Sequence, residues 1–195
     1  MALSLVTAPA TEPLTLAEAK LHLRVDINDE NDLITALIVA AREYVETFTH
    51  RALITQTWDW TCDAFPCGDE SVQLPKAPLV SVTSVSYIDG SGSTQTWAAS
   101  NYTVDAPAGP WALGGRIIPG YNVFYPVTRS IENAVTVRFV AGYGAATAVP
   151  ASIKAAMKIL IGTWFGPGRE NVNIGNLVTV IPQTVDALLW PFKAF

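Results

Sequence analysis

Two stretches of this chain repeat apolar residues at helical spacing, and the long segment between them repeats such residues at every second position. In the first stretch Leu33, Ile34, Leu37, Ile38, Ala41, Tyr44, Val45 and Phe48 fall on one helix face. In the second, Ile153, Ala156, Met157, Leu160, Ile161, Trp164 and Phe165 do the same, with Pro150 in the first turn and Gly166-Pro167-Gly168 as the stop. Stripes this broad must be buried. The two helices are therefore expected to find each other across whatever lies between them.

What lies between reads as strands. In residues 56–63, Trp58, Trp60 and Cys62 share one face while Thr57, Asp59, Thr61 and Asp63 share the other. Residues 79–88 are also strand-like, but the apolar phase shifts between Val82 and Val85, which predicts a bulge. Asp89-Gly90-Ser91-Gly92 turns the chain, and further strands are expected at 102–104, 116–118 and 135–140. Two more helices complete the set. Thr15-Leu16-Ala17-Glu18 is a capping box opening a short helix that ends near Arg24. Pro182 and Pro191 bracket a last short helix at 183–190, and the acidic run Asp29-Glu30-Asn31-Asp32 suits the start of the long second helix. The expected fold class is α+β: a small helical core of three main helices plus a short C-terminal helix, with an inserted antiparallel β module. The helical core takes residues 1–54 and 148–195, and the β module residues 55–147.

Composition narrows the function classes. Charged residues make up only 15% of the 195-residue chain, against about 25% in ordinary soluble domains. Such a surface is expected to be covered by another protein chain. Twelve Lys+Arg against seventeen Asp+Glu, a net charge of −5, argue against a module that grips nucleic acid by neutralising phosphates. Cys62 and Cys67, with only His22 and His50, make neither a disulfide scaffold nor a zinc site. They are expected to be reduced thiols. The N-terminus lacks the basic region of a signal peptide, and no run approaches the ~18 apolar residues of a membrane span, so a soluble protein with no membrane partner is expected.

Chemistry is hard to find. Gly90-Ser91-Gly92 lacks the spacing of a nucleophile elbow, and both histidines sit within predicted helices. Gly142-Tyr143-Gly144-Ala145-Ala146-Thr147 follows a strand and precedes a helix, but Thr147 stands where a dinucleotide turn needs its third glycine. Asp59 and Asp63 are roughly 13 Å apart along one strand, too far for a glycosidase pair, and read as solvated. No catalytic, cofactor or metal residues are expected. The alternative reading is a carbohydrate-binding β module: Trp58, Trp60 and Trp164 belong to predicted core faces, but Trp97 and Trp111 lie near loops and could serve as stacking platforms.

The order of these segments resembles a known family. Residues 13–24 (PLTLAEAKLHLR), the acidic start of the long helix, residues 78–87 (PLVSVTSVSY), Val149-Pro150 leading into the third helix, and residues 181–191 (IPQTVDALLWP) together resemble the head-tail connector (adaptor) proteins of long-tailed bacteriophages and prophage-derived particles. The resemblance implies a structural virion protein at the head-tail junction, assembled in the bacterial host cytoplasm. It would dock on the portal protein at the capsid vertex, join neighbouring copies of itself in a ring of about twelve, and receive a stopper or tail-completion protein. Double-stranded DNA would pass through the lumen without specific contact. On this reading Arg169, Leu177, Val178, Ile181, Trp190, Phe192 and Phe195 are the partner-interface candidates. Residues 169–181 and the tail from Trp190 are expected to order on meeting a partner. Truncating Phe192 or Phe195 is expected to spare folding and weaken assembly.

Overall fold

The computed structural model describes residues 1–68, 70–166 and 183–194. The chain divides into two units: a β unit from residues 1–9 and 55–142 with Ala194, and a helical unit from the described parts of residues 10–54 and 143–193.

In the helical unit, α1 (Leu16–Leu23) begins with the capping box that the sequence announces. The Glu18 amide donates to Thr15 Oγ1 (3.1 Å), and the Thr15 amide donates to Glu18 Oε2 (2.8 Å), so two end amides are satisfied reciprocally. The Thr15 amide is also the main reason the Glu18 carboxyl lies below its ordinary pKa. Next come α2 (Asn31–Thr49), α3 (Ala151–Phe165) and α4 (Gln183–Leu189), followed by a 3-10 turn at Trp190–Phe192. Ile34, Ile38, Ala41 and Val45 of α2 form one core with Ile153, Ala156, Met157, Leu160 and Ile161 of α3, joined by Val185, Leu189 and Phe192. Each large side chain so buried contributes roughly 1.5–3 kcal/mol. Tyr44 and Trp164 meet edge-on with ring centroids 6.2 Å apart, extending the contact at the half-buried margin.

A buried ionic cluster fastens the incoming chain to α2. Arg42 Nε contacts Glu12 Oε2 at 2.8 Å and Arg42 Nη1 contacts Glu46 Oε2 at 3.0 Å, while Glu46 Oε1 accepts the Leu53 amide at 2.8 Å. Arg42 and Glu46 are both buried, and Arg42 is the cation that Glu12 and Glu46 both face.

In the β unit, β1 (Ala2–Thr7), β2 (Gln56–Cys62), β8 (Val135–Ala141), β4 (Leu79–Ile88) and β5 (Thr94–Trp97) form an antiparallel five-stranded sheet in that order. A second antiparallel sheet has the order β3 (Val72–Gln73), β7 (Arg116–Pro119), β6 (Tyr102–Asp105). β8 lies at the centre, and its alternate residues Val135, Val137, Phe139 and Ala141 are all buried. The β4–β8 register shifts between Leu79 and Ser81 and again between Val82 and Ser84, the second shift falling where the apolar phase breaks in the sequence. Gly115 allows close packing between β-unit segments, because a Cβ there would clash with the Leu79 side chain.

Residues 1–9 depart from expectation. Assigned to the helical core from the sequence, they carry β1, which pairs with β2 and makes one edge of the larger sheet. Residues 143–147, assigned to the β module, fall in the helical unit instead. Among the described residues no helix is long and apolar enough to cross a membrane.

Candidate interface

His22 is exposed on α1, and exposed His50 caps α2 in the left-handed conformation at φ 56°. Among the described residues no three His, Cys, Asp or Glu side chains group as a metal site. Cys62 and Cys67 are free, with the Cys62 thiol buried and its pKa pushed up by that burial. Asp59 is not simply solvated. It faces Arg138 across β2 and β8, with Oδ1 to Nε 2.8 Å and Oδ2 to Nη2 2.7 Å, and this contact lowers its pKa.

The proposed stacking platform at Trp97 is a core residue. It is 5% exposed and sits in an aromatic cluster with Phe65 (5.5 Å between centroids), Tyr102 (5.0 Å) and Tyr125 (5.2 Å). Its position next to a loop concealed that role, because two of the rings that cover it, Phe65 and Tyr125, come from distant parts of the chain. Trp111 is exposed.

The C-terminal turn holds two of the predicted interface residues, with different environments. Trp190 is 62% exposed, with Lys193 Nζ 5.5 Å from its ring centroid. Phe192 is 5% exposed and belongs to the helical core, and its carbonyl accepts a hydrogen bond from Arg51 Nε. Phe192 is therefore packed in the helical core, whereas Trp190 in the same turn faces solvent. Arg51 is itself buried, its guanidinium carbon 6.0 Å from the Tyr143 ring centroid. Burial holds its pKa below the ordinary value, partly offset by Tyr143. Arg169, Leu177, Val178, Ile181 and Phe195 lie outside the described residues.

Among the described residues most of the exposed large apolar side chains lie on the β unit. Around β7, Leu113 is 58% exposed, Tyr121 95%, Phe124 79% and Val127 85%. Only Arg116 and Arg129 carry charge between residues 106 and 131, and Arg116 Nε pairs with Asp105 at 2.8 Å. The loop is anchored where it passes Tyr125, whose ring stacks on Phe65 at 4.9 Å and whose hydroxyl donates to the Glu70 carbonyl at 2.8 Å. Two shallow grooves border it, one along residues 118–124 and one between residues 64–68 and 124–128. A second apolar surface is the β1 edge, where Leu5 and Val6 are nearly half exposed and no residue from 1 to 11 carries a charged side chain. Sequence reasoning missed both surfaces, although a charge-free, aromatic-rich run was readable in residues 117–128.

These surfaces suit contact with other protein chains, and the comparisons with known proteins point the same way. Residues 13–101 match the family model of phage gp6-like head-tail connector proteins. No curated protein matches the chain. Among solved structures, a chain of the "neck of empty GTA particle computed with C6 symmetry" is similar over 100% of this chain and 96% of that one, with a TM-score of 0.80 and 25% identity. A chain of the native gene transfer agent (GTA) virion has a TM-score of 0.78 at 24% identity, and one from the neck of the native GTA particle computed with C12 symmetry has 0.76 at 23%, both with the same coverage.

Proposed function

We propose that this chain, whose residues 13–101 match the family model of phage gp6-like head-tail connector proteins, is a structural connector that forms a ring at the neck of a phage-like particle and joins head to tail. The observation that carries this reading is the end-to-end likeness to a particle-neck chain, covering 100% of this chain and 96% of that one. The low charge and the exposed apolar loop support it physically: such a surface is a liability on a solitary chain and an asset when copies cover one another. The necks similar to this chain were treated with C6 and C12 symmetry, which favours a ring of about twelve copies here.

In finer detail, one rim of the ring docks on the portal protein and the other receives a stopper or tail-completion protein. Trp190, with its exposed ring, and Arg169, Leu177, Val178, Ile181 and Phe195 are the proposed docking residues. DNA passes through the lumen without adhering, since a chain of net charge −5 offers no surplus cation to its phosphates. Assembly takes place in the host cytoplasm before the particle is complete.

Electron microscopy of the purified chain with and without the portal ring of its own particle tests the proposal. The expected result is a cyclic ring of this chain seated coaxially on the portal. A chain that stays monomeric beside the portal at concentrations well above the micromolar range would overturn it, because template assembly should raise the ordered fraction by mass action.

A further inference from the structure

Resting on the proposed ring, we infer that the loop carrying Tyr121 and Phe124 in one copy covers the β1 edge of the next copy. A closed ring requires two different, complementary surfaces on each chain, since a contact between identical patches closes a pair and stops. The β unit has two such surfaces. β1 is one edge of the five-stranded sheet and β5 the other, four strand spacings or roughly 19 Å away. The loop is tied to the β5 side, because Tyr125 packs on Trp97 of β5 (5.2 Å) and on Phe65 (4.9 Å).

Both surfaces have the marks of a covered interface. β1 is an exposed edge with apolar Leu5 and Val6, without a charged residue or proline in Ala2–Thr7 to discourage pairing; its one irregularity is the register shift between Leu5 and Thr7. The loop matches it in chemistry, with no charged residue from 117 to 128, so neither side must strip water from an ion when the two meet. The exposed area is large enough for a neighbouring copy to cover. At roughly 150–200 Å² per residue, Leu113, Tyr121, Phe124 and Val127 leave on the order of 600 Å² uncovered. That is most of the ~800 Å² per partner of a standard specific interface.

Site-directed cross-linking within portal-templated rings tests the inference. In a Cys62→Ala, Cys67→Ser background, Leu5→Cys and Phe124→Cys are placed in the same chain, rings are assembled on the portal, and a short bis-maleimide is added. The expected result is a ladder of covalent oligomers on a denaturing gel, with neither single-cysteine chain linking beyond background. Rings that form but give no ladder overturn this contact and leave the connector reading standing. Failure of the parent chain to form rings beside the portal overturns both. Strong dimers from a single-cysteine chain also overturn the inference, since they report a contact between identical patches. As a second readout, Phe124→Asp and Leu5→Asp chains should each fail to close rings while keeping the parent far-UV circular dichroism. Mixed in equal amounts they should give heterodimers, because one intact loop and one intact edge remain.

Discussion

Phe192→Ala separates a core role from an interface role for the C-terminal turn. The ring is 5% exposed and lies in the cluster that unites α2, α3 and α4, so its removal deletes almost a full aromatic burial and leaves a cavity. Core Phe→Ala substitutions cost about 3–5 kcal/mol. The Arg51 hydrogen bond uses the backbone carbonyl of residue 192 and is available in the variant, which places the expected loss near the lower end. For a unit of roughly a hundred residues, 1 kcal/mol moves Tm by about 4–8 °C, so the helical transition should fall by at least about 12 °C. The assay is thermal and urea unfolding followed at 222 nm, where the helical unit dominates the signal. Trp190→Ala is the control: its side chain is 62% exposed and its loss should stay within about 1 kcal/mol. A Phe192→Ala chain that unfolds within 3 °C of the parent yet fails to assemble would refute the core assignment and restore Phe192 as a docking anchor.

The buried ionic cluster gives a second expectation. Glu46→Ala takes the acceptor from the Leu53 amide and one of the close carboxylates from Arg42, which keeps Glu12 at 2.8 Å, and should cost about 1–3 kcal/mol in urea unfolding, whereas Glu43→Ala, on an exposed carboxylate 3.5 Å from Arg42, should cost under about 1 kcal/mol. Gly115→Ala forces a Cβ against Leu79 and should destabilise the β unit by about 1–3 kcal/mol, with Leu79→Ala in the same chain relieving part of that strain. Asp89 accepts hydrogen bonds from Ser91, Ser93 and Gln95 that hold its pKa at about 2. Because the folded value is depressed, the turn is fully supported above the ordinary carboxylate pKa of about 4 and loses that support as pH falls toward about 2. The Ser91 and Ser93 amide resonances should therefore titrate with a midpoint near 2, and a midpoint near 4 would show that the contacts do not form.

What the sequence determined by itself is everything governed by local period and local capping. Thr15 and Glu18 are three residues apart, so their reciprocal bonds need no other part of the chain. The α3 stripe and the alternation of β8 follow from side-chain geometry along a single element, and the phase break within β4 announced its own bulge. The connector resemblance rested on the order of such pieces. The tertiary structure alone decided which distant segments meet. Pairing of Ala2–Thr7 with β2 spans more than fifty residues and depends on register, to which a short strand's own pattern is blind. Asp59 finds Arg138 across 79 positions, and Trp97 is buried by rings brought from residues 65, 102 and 125. Phe192 and Trp190 are two residues apart in an aromatic tail, yet one fills a core and the other faces solvent. That difference is set by the helices against which the turn packs, since burial is a property of the whole surface a residue meets and not of its neighbours in sequence.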